Sequence, residues 1–501
     1  MPYRLRLSLC LLVVLFLPCP SESSTCLQCH ASKQGDFSAA HGFAASSCVT
    51  CHAGDNEATL EAGAHDGLIA FPGELANAQR ACGSCHADRV SSVNESLMHS
   101  ARGMVQVTRQ VLDEPVGPDH IGSLQSLGHS VADSMLRKQC ASCHIGQTKT
   151  EHRHDVMWDR GGGCLACHIG EYPENAHPAL TTNVSDARCF GCHARSGRIS
   201  LSYTGLAEVE TSTLRLPDGR HIERMPADVH YQAGMSCIDC HTSVGLMGSA
   251  GDATHQRQAV DISCADCHNY PNPNLTTEKN GTALWHIELR GDGAWLHSKN
   301  TDRVLKIPAA EPSHHEQDDD HKRVTCAACH SQWAPQCFGC HMEYDADGEQ
   351  WDHVDRALTP GRWNNQRWQV RNTLPALGVN DSNEIELFVP GMIMTVAHPA
   401  WEQDKFVRMF APLSPHTTGK ARSCESCHRS SEALGLGQGR LTENGGEIVF
   451  ESDSVLLQDG LPADAWTNVD HSLGGRTPVT GQRPLNKAEM DAMLDALMPE
   501  R

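Results

Sequence analysis

Aromatic residues and long apolar runs are scarce in this 501-residue sequence. Aromatic side chains make up 5% of the chain and hydrophobic residues 39%, below the ~45–50% of ordinary globular chains, a range that also counts glycine. No run after residue 23 approaches the ~18 apolar residues that a membrane-spanning helix needs. The sequence therefore predicts no membrane span beyond that point, and a core of side chains alone is undersupplied.

Positive charge is scarce as well. The chain has 40 Lys and Arg residues against 61 Asp and Glu residues, which gives a formal net charge of −21. An excess of negative charge repels phosphate backbones and anionic lipid, so neither nucleic acid nor an acidic membrane surface is an expected partner. A partner protein that docks through a basic patch fits this negative net charge better.

Cysteine, in contrast, is abundant and regularly placed. Of 24 cysteines, 22 fall in eleven copies of Cys-x-x-Cys-His, and the other two, Cys10 and Cys19, lie near the N-terminus. The motif cysteines are Cys26 and Cys29, Cys48 and Cys51, Cys82 and Cys85, Cys140 and Cys143, Cys164 and Cys167, Cys189 and Cys192, Cys237 and Cys240, Cys264 and Cys267, Cys326 and Cys329, Cys337 and Cys340, and Cys424 and Cys427. The motif histidines are His30, His52, His86, His144, His168, His193, His241, His268, His330, His341 and His428. Each motif is named below by its first cysteine.

This spacing is the attachment signature of c-type haem. Two thiols three positions apart lie about one helical turn from each other, which suits two thioether bonds to one porphyrin, and the following imidazole can ligate the iron. Structural zinc needs two such pairs or a pair with distant histidines, and a redox-active pair occurs once. Neither these sites nor a disulfide framework requires histidine after every pair. We therefore expect eleven covalently attached haems as cofactors, with iron as the metal.

Residues 1–23 are predicted to be a signal peptide. Arg4 and Arg6 form its charged start, Leu7–Leu17 its apolar stretch and Pro18–Ser23 a short polar exit. We therefore expect an exported protein, either periplasmic or at the outer membrane or cell surface. Cys19 leaves lipid anchoring as the alternative to simple cleavage.

The motif spacing predicts three regions after the leader. Residues 24–200 carry six haems, 201–345 carry four with strand-like insertions, and 346–501 carry one and end in a helix. The insertions are Leu214–Glu223 and Leu284–Ile307, and further strand-prone runs are Glu384–Val396 and Glu447–Leu457, with the terminal helix at Asn486–Met498. Porphyrins are expected to form the core, and the haem-free chain is expected to be unfolded.

Histidine exceeds what the motifs use. Of 31 histidines, 20 lie outside the motifs, enough for each iron to receive a second imidazole. The predicted second ligands are His41, His65, His99, His129, His154, His177, His230, His255, His321, His353 and His416. His152 competes with His154, His315 with His321, and His398 with His353. Met98, Met235 and Met342 are alternative ligands, although methionine is more often a packing residue.

Four stretches look familiar beyond the motifs: 160–168 (RGGGCLACH), 189–200 (CFGCHARSGRIS), 326–341 (CAACHSQWAPQCFGCH) and 415–428 (PHTTGKARSCESCH). With the motif set, which covers residues 26–428, they make the chain resemble the large multihaem c-type cytochromes of bacterial respiratory electron transfer. The resemblance implies haems with two histidine ligands, packed in alternating parallel and perpendicular pairs as a continuous wire. The nitrite reductases and some octahaem relatives of this group use Lys in place of the motif His at the active haem, and this sequence has no Cys-x-x-Cys-Lys motif.

The expected fold class is mainly α and irregular, with short helices and loops wrapped around a haem-packed core and minor β hairpins in the C-terminal half. The expected function is electron relay between redox partner proteins. Association with an outer-membrane or extracellular electron-transfer complex and self-association are two further hypotheses about its partners. The alternative is an oxidoreductase acting on nitrite, hydroxylamine or tetrathionate at one open haem. His120, His221, Arg102 and Lys149 are its candidate proton donors, with no catalytic residue assigned. A polymer subunit is a third hypothesis.

Overall fold

The computed structural model describes residues 25–33, 37, 39–45, 47–117, 122–148, 161–170, 177–194, 199–248, 253–269, 275–310, 321–366, 369–445 and 447–496. The predicted signal peptide at 1–23 lies outside these described residues, as do His120, Lys149, His152, His154, His314 and His315. No described helix is long and apolar enough to cross a membrane. The chain forms two compact units, one of Met1–Pro72 with Gly170–Thr181 and one of Gly73–Ile169 with Thr182–Arg501. The predicted boundaries at 200 and 345 stay predictions.

The first unit consists of short helical pieces. Its described helices are Cys26–Cys29, Ala31–Lys33, Ala39–Ala45, Val49–His52 and Glu61–Ala64. Among its described residues only Ala44 and Ile69 are buried. Side-chain burial this small cannot offset the entropy cost of ordering the chain. The described side chains of this unit therefore supply little apolar burial of their own.

The second unit begins with helices. They are Leu75–Ala81, Gly83–Glu95, Leu97–Ser100, Arg102–Val111, Leu124–Ser126, Val131–Met135, Leu136–Cys140, Ala141–Cys143, Leu165–His168, Asp186–His193, Ser200–Tyr203, Val229–Ala233, Cys237–Cys240, Ser243–Met247, Gln256–Ala259, Cys264–His268, Cys326–His330, Glu425–His428 and Lys487–Asp495. Most are one or two turns long. Such helices are marginal on their own and depend on tertiary contacts.

Strands dominate the second unit after residue 330. The largest sheet has the order Arg483–Pro484, Ala376–Val379, Ile385–Ala397, Cys340–Asp352 and Ala357–Gln366, and Lys405–Pro412 also pairs with Ile385–Ala397. Cys340–Asp352 runs parallel to Ile385–Ala397, and the other pairs are antiparallel. The register of Ile385–Ala397 shifts between Pro390 and Met392 because proline has no N–H to donate to the ladder.

Four smaller sheets accompany it. Leu206–Glu208, Leu214–Arg215 and His221–Arg224 form one antiparallel sheet, and Ile287–Arg290, Gly293–His297 and Val304–Ile307 form another. Ala334–Phe338 pairs with Gln369–Thr373, and Gly439–Asn444 with Glu447–Ser452. The strand-prone segments identified in the sequence therefore do contain strands, and the terminal helix lies within its predicted range.

The predicted fold class is wrong. Helix accounts for about 31% and strand for about 25% of the structure, so sheets are a major component of the C-terminal half rather than minor hairpins. A side-chain core explains the difference. Trp466 is fully buried, stacks on Phe410 at 5.1 Å between ring centroids and contacts Phe388 at 4.6 Å. Gly378 leaves room for the Trp466 ring, which an added Cβ would meet at 2.5 Å. The C-terminal sheet therefore has apolar packing of the conventional kind.

Candidate haem sites and their histidine pairs

Ten of the eleven motifs form helical turns. Nine contain or overlap an α-helix, and the Cys140 motif lies where a π-helical turn passes into a 3-10 turn. A helical turn presents the first and fourth residues on one side of the chain. The two thiols of each of these motifs therefore face one side, as attachment to a single porphyrin requires.

The residue before the first cysteine explains why several motifs fold locally. Ser236 and Asp239 form a reciprocal capping box at the Cys237 motif, and Ser263 and Asp266 form another at the Cys264 motif. At the Cys326 motif the Thr325 hydroxyl accepts a hydrogen bond from the Ala328 N–H. Each cap satisfies backbone N–H groups that a short helix otherwise leaves without a partner.

The Cys337 motif is the exception. It joins the strand Ala334–Phe338 to the strand Cys340–Asp352 through Gly339, whose φ is +74°. The expectation of a helical turn is wrong here because Cys337 pairs with Val370 and Cys340 with Met394, so both cysteines belong to sheet ladders. Left-handed backbone at Gly339 is what turns the chain between the two strands.

Six motif histidines lie opposite a histidine from outside the motifs. The pairs and their ring-centroid separations are His30 with His65 at 6.0 Å, His52 with His177 at 6.0 Å, His144 with His99 at 6.4 Å, His241 with His416 at 6.2 Å, His268 with His230 at 6.1 Å and His428 with His321 at 6.0 Å. All six partners belong to the predicted set of second ligands. The separations lie within a narrow range although the interplanar angles vary from 21° to 83°.

This separation suits one metal ion between two imidazoles. Metal–nitrogen bonds of about 2.0–2.1 Å on either side of an ion put the two ring centroids roughly 6 Å apart. Other ring pairs span a wider range, from 4.5 Å between Tyr344 and His398 to 6.4 Å between Tyr203 and His416. The residues present therefore fit a haem iron that is held from both sides.

Hydrogen bonds at Nδ1 orient several of these rings. Among the motif histidines, the Nδ1–H of His52 donates to the Ile69 carbonyl and that of His268 to the Pro308 carbonyl, each at 2.8 Å. The Nδ1–H of His330 donates to the Gly419 carbonyl at 3.1 Å, and that of His428 to the Met493 carbonyl at 2.7 Å. On the opposite side, His99 and His416 donate to the carbonyls of Asn94 and Ser414, each at 2.9 Å. A proton on Nδ1 leaves the Nε2 lone pair available to a metal.

Burial keeps two motif histidines neutral. Burial, reinforced by neighbouring His99, lowers the pKa of His144 to about 4. Burial next to His416 likewise lowers the pKa of His241 to about 4. The neutral imidazole, which binds metal, is therefore the form present at neutral pH.

His416 has a backbone φ of +56°, which is unfavourable for a residue other than glycine. A folded protein retains such an angle where the position of the residue matters.

Five predicted second ligands are in other surroundings. His41 packs beside Phe43 at 5.9 Å, and His353 donates its backbone N–H to the Arg137 carbonyl at 3.1 Å. His255 is the N-cap of the helix Gln256–Ala259, and His129 lines a cavity. His154 lies outside the described residues. Their assignment as iron ligands stays a prediction.

The described histidines that were not predicted as ligands have local partners. The His286 Nε2–H donates to the Asp239 carbonyl at 2.8 Å, and His297 bonds Glu288 at 2.9 Å. His221 Nδ1 accepts from the Ser212 N–H at 3.0 Å, and His471 lies 3.4 Å from the Thr467 hydroxyl. His398 Nδ1 accepts from the Ala400 N–H at 3.0 Å, which places its ring proton on Nε2.

Asp228 is the residue that inspection of the sequence missed. Its carboxylate accepts from the Nδ1–H of His230 at 2.8 Å and from the Thr418 N–H at 2.7 Å. A carboxylate behind a ligating imidazole fixes the tautomer and the orientation of the ring. The Asp-x-His spacing could have suggested this role, whereas carbonyl partners such as Pro308 and Met493 could not be found from residue type.

Thiols of different motifs lie close together in the second unit. The Cys189 and Cys237 side chains are in hydrogen-bond contact, as are those of Cys264 and Cys326. Burial and the neighbouring Cys267 thiol together raise the pKa of Cys240 to about 12. Cofactors attached at these motifs would therefore be close neighbours. The described cysteines form no disulfide.

One cavity of about 430 Å³ lies in the second unit and is lined by His129, Arg137, Lys138, Tyr344 and His398, among others. Arg137 is buried and ion-paired with Asp352 and Asp355. The Lys138 ammonium donates to the three backbone carbonyls of residues 359–361. Since both cations are engaged by protein groups, the cavity does not offer a ready site for an anionic substrate.

Across the described residues no three His, Cys, Asp or Glu side chains gather at one point as a metal cluster. A haem site does not produce such a cluster, because only two imidazoles reach the iron and the thiols bind the porphyrin edge. Paired imidazoles beside a free Cys-x-x-Cys are the corresponding pattern. No protein-family model matches this chain, and comparisons with curated proteins and with solved structures find no match either.

Proposed function

We propose that this chain is an exported c-type cytochrome with eleven covalently attached haems, and that it relays electrons in respiration. The single observation that carries the proposal is the set of six motif histidines that each lie 6.0–6.4 Å from a histidine outside the motifs. Haem would supply one-electron redox chemistry at each such site. The cysteines of each motif would tether the porphyrin, and the paired histidines would hold the iron.

Paired histidines favour relay over catalysis. Where two imidazoles would hold one iron, no ligand position would remain for a substrate. The Nδ1 hydrogen bonds, such as that of His428 to Met493, fix the rings and hold the ligands in place during electron transfer. Close contacts between motifs, such as Cys189 with Cys237, support short hops from one haem to the next.

The proposal extends to location and partners. The predicted signal peptide supports export to the periplasm, the outer membrane or the cell surface. A net charge of −21 supports docking to basic patches of donor and acceptor proteins, with association rates that fall as salt rises. Association with an outer-membrane or extracellular electron-transfer complex and self-association belong to the same proposal, because both bring haems of two molecules together.

An electron paramagnetic resonance spectrum of the oxidised protein tests this function. We expect low-spin ferric signals from all eleven haems, because under this proposal each iron would have two imidazole ligands, including at the five motifs without a described histidine pair. Addition of nitrite, hydroxylamine or tetrathionate to the reduced protein is expected to leave the rate of reoxidation unchanged. A high-spin signal worth one haem, together with reoxidation that depends on one of these compounds, would instead establish the oxidoreductase alternative.

A further inference from the structure

The Cys326 and Cys424 motifs are joined by backbone hydrogen bonds. Gly419 N–H donates to the His330 carbonyl at 2.8 Å, and the His330 Nδ1–H donates back to the Gly419 carbonyl at 3.1 Å. Arg422 N–H donates to the Cys329 carbonyl at 2.8 Å. The segment that leads into the Cys424 motif is therefore paired with the end of the Cys326 motif.

A histidine pair joins the same two motifs a second time. His321 lies five residues before Cys326, and its ring faces His428 of the Cys424 motif at 6.0 Å. Five residues span a short distance, so a haem ligated by His321 and a haem attached at Cys326 have to be neighbours. This conclusion rests on the proposed function, since it takes both motifs to carry haem.

The Arg422 side chain lies between these motifs. Its guanidinium donates to the Ser426 carbonyl at 2.5 Å and to the Ser426 hydroxyl at 3.3 Å. Burial lowers the pKa of Arg422, and the thiols of Cys427 and Cys329 are close enough to act on it electrostatically. The Nη1 atom is buried and has no hydrogen-bond acceptor among the described residues.

A buried N–H without an acceptor is costly, and a carboxylate is the acceptor that arginine binds best. The nearby Glu432 carboxylate bonds the Thr373 hydroxyl at 3.1 Å instead of Nη1. Haem carries two propionate carboxylates, and two haems would flank Arg422. A haem propionate would therefore supply the negative charge and the acceptor oxygen that the Nη1–H of Arg422 lacks.

We propose that Arg422 is a positioning residue shared by the haems of the Cys326 and Cys424 motifs, where its guanidinium binds a haem propionate and raises the reduction potentials of both haems. Reduction adds an electron to a haem, and a fixed positive charge in a site of low dielectric constant favours that step. The same charge offsets the propionate, which would otherwise oppose reduction.

Replacing Arg422 by Gln in the complete holoprotein tests the proposal by spectroelectrochemical titration. We expect about two elevenths of the absorbance change to move to lower potential, with all eleven haems still attached and low-spin. The matched control is Arg429→Gln, which removes an exposed arginine next to His428 and is expected to produce a smaller shift. Equal shifts in the two variants would overturn the assignment.

Arg422→Lys keeps the charge and serves as the second variant. We expect its titration curve to stay closer to that of the wild type than to that of Arg422→Gln. If Arg422→Gln does not assemble, the lysine variant decides alone, because a shift to lower potential larger than that of Arg429→Gln would contradict a role for the charge. A holoprotein with eleven haems and no shift rejects only the role of Arg422, whereas a wild-type protein without haem rejects the proposed function itself.

Discussion

A chain made without haem attachment is expected to lose order in residues 25–72 but to retain the strands of the C-terminal sheet, instead of unfolding completely as the sequence alone predicts. Hydrogen exchange followed by mass spectrometry measures this directly on a variant that lacks residues 1–23 and is made where haem is not attached. Peptides from Ile385–Ala397 and Lys405–Pro412 are expected to exchange at least ~100-fold more slowly than peptides from 25–72. In the holoprotein both sets are expected to be protected.

Burial is the reason for the difference. The described part of the first unit buries only Ala44 and Ile69, whereas the sheet encloses Phe388, Phe410 and Trp466. Without porphyrins the described part of the first unit buries almost no apolar surface, and Phe43, Leu60 and Leu68 are exposed. The strands of the sheet keep their buried apolar surface, because their contacts are between side chains.

Two tryptophan variants serve as internal controls in the haem-free chain. Trp466→Ala is expected to cost about 3–5 kcal/mol and to abolish protection of the sheet, since this ring is fully buried. Trp285→Ala removes a ring that is 77% exposed and is expected to change little. Equal exchange rates along the whole haem-free chain would show that the sheet also depends on the cofactors.

Replacing His416 by Ala is expected to convert one haem of eleven from low-spin to high-spin. The His416 ring lies 6.2 Å from His241 at an interplanar angle of 21°, so under the proposed function its loss would leave the iron at the Cys237 motif with one imidazole. All eleven haems are expected to remain attached, because no cysteine changes. Optical and paramagnetic resonance spectra of the oxidised protein would report the change, and added cyanide is expected to bind one haem only.

His297→Ala is the matched control for that variant. His297 is exposed and bonded to Glu288, with no motif histidine as its partner in the described structure, so its loss is expected to leave every haem low-spin. His321→Ala is expected to reproduce the His416→Ala result at the Cys424 motif. Unchanged spectra for both ligand variants would remove the histidine pairs as support for the proposed function.

The sequence predicted the local conformation of the Cys-x-x-Cys-His motifs better than it predicted which histidine faces which motif. Motif turns form from short-range spacing and caps, as at Ser236 and Asp239, and both signals are visible in the sequence. The nearest motif is a poor guide to a histidine's partner. His230 precedes the Cys237 motif by seven residues but faces His268, and His416 precedes the Cys424 motif but faces His241. Such partners are set by how segments cross in space.

The fold class was mispredicted because composition was averaged over the whole chain. A hydrophobic content of 39% suggested that side chains could not form a core, but the large buried rings lie mainly after residue 330. Strand-prone runs such as Glu384–Val396 were recognised one at a time. Their assembly into one sheet depends on pairings such as Met394 with Cys340, which lie far apart in sequence.

The Cys337 motif shows where pattern and structure diverge. Its residues follow the same Cys-x-x-Cys-His rule as the others, yet strand pairing on both sides of Gly339 draws the chain into an extended path. The motif alone does not encode that conformation. Whether haem is attached at Cys337 and Cys340 is therefore the hardest test of the predicted number of eleven haems.

Counting the haems on the native protein is the most direct measurement. Intact mass spectrometry, combined with the pyridine haemochrome absorbance per polypeptide, is expected to give eleven haems, one for each pair of motif cysteines. A much lower number, bound zinc, or a mass that shows the cysteines joined as disulfides would contradict a haem-bearing electron relay.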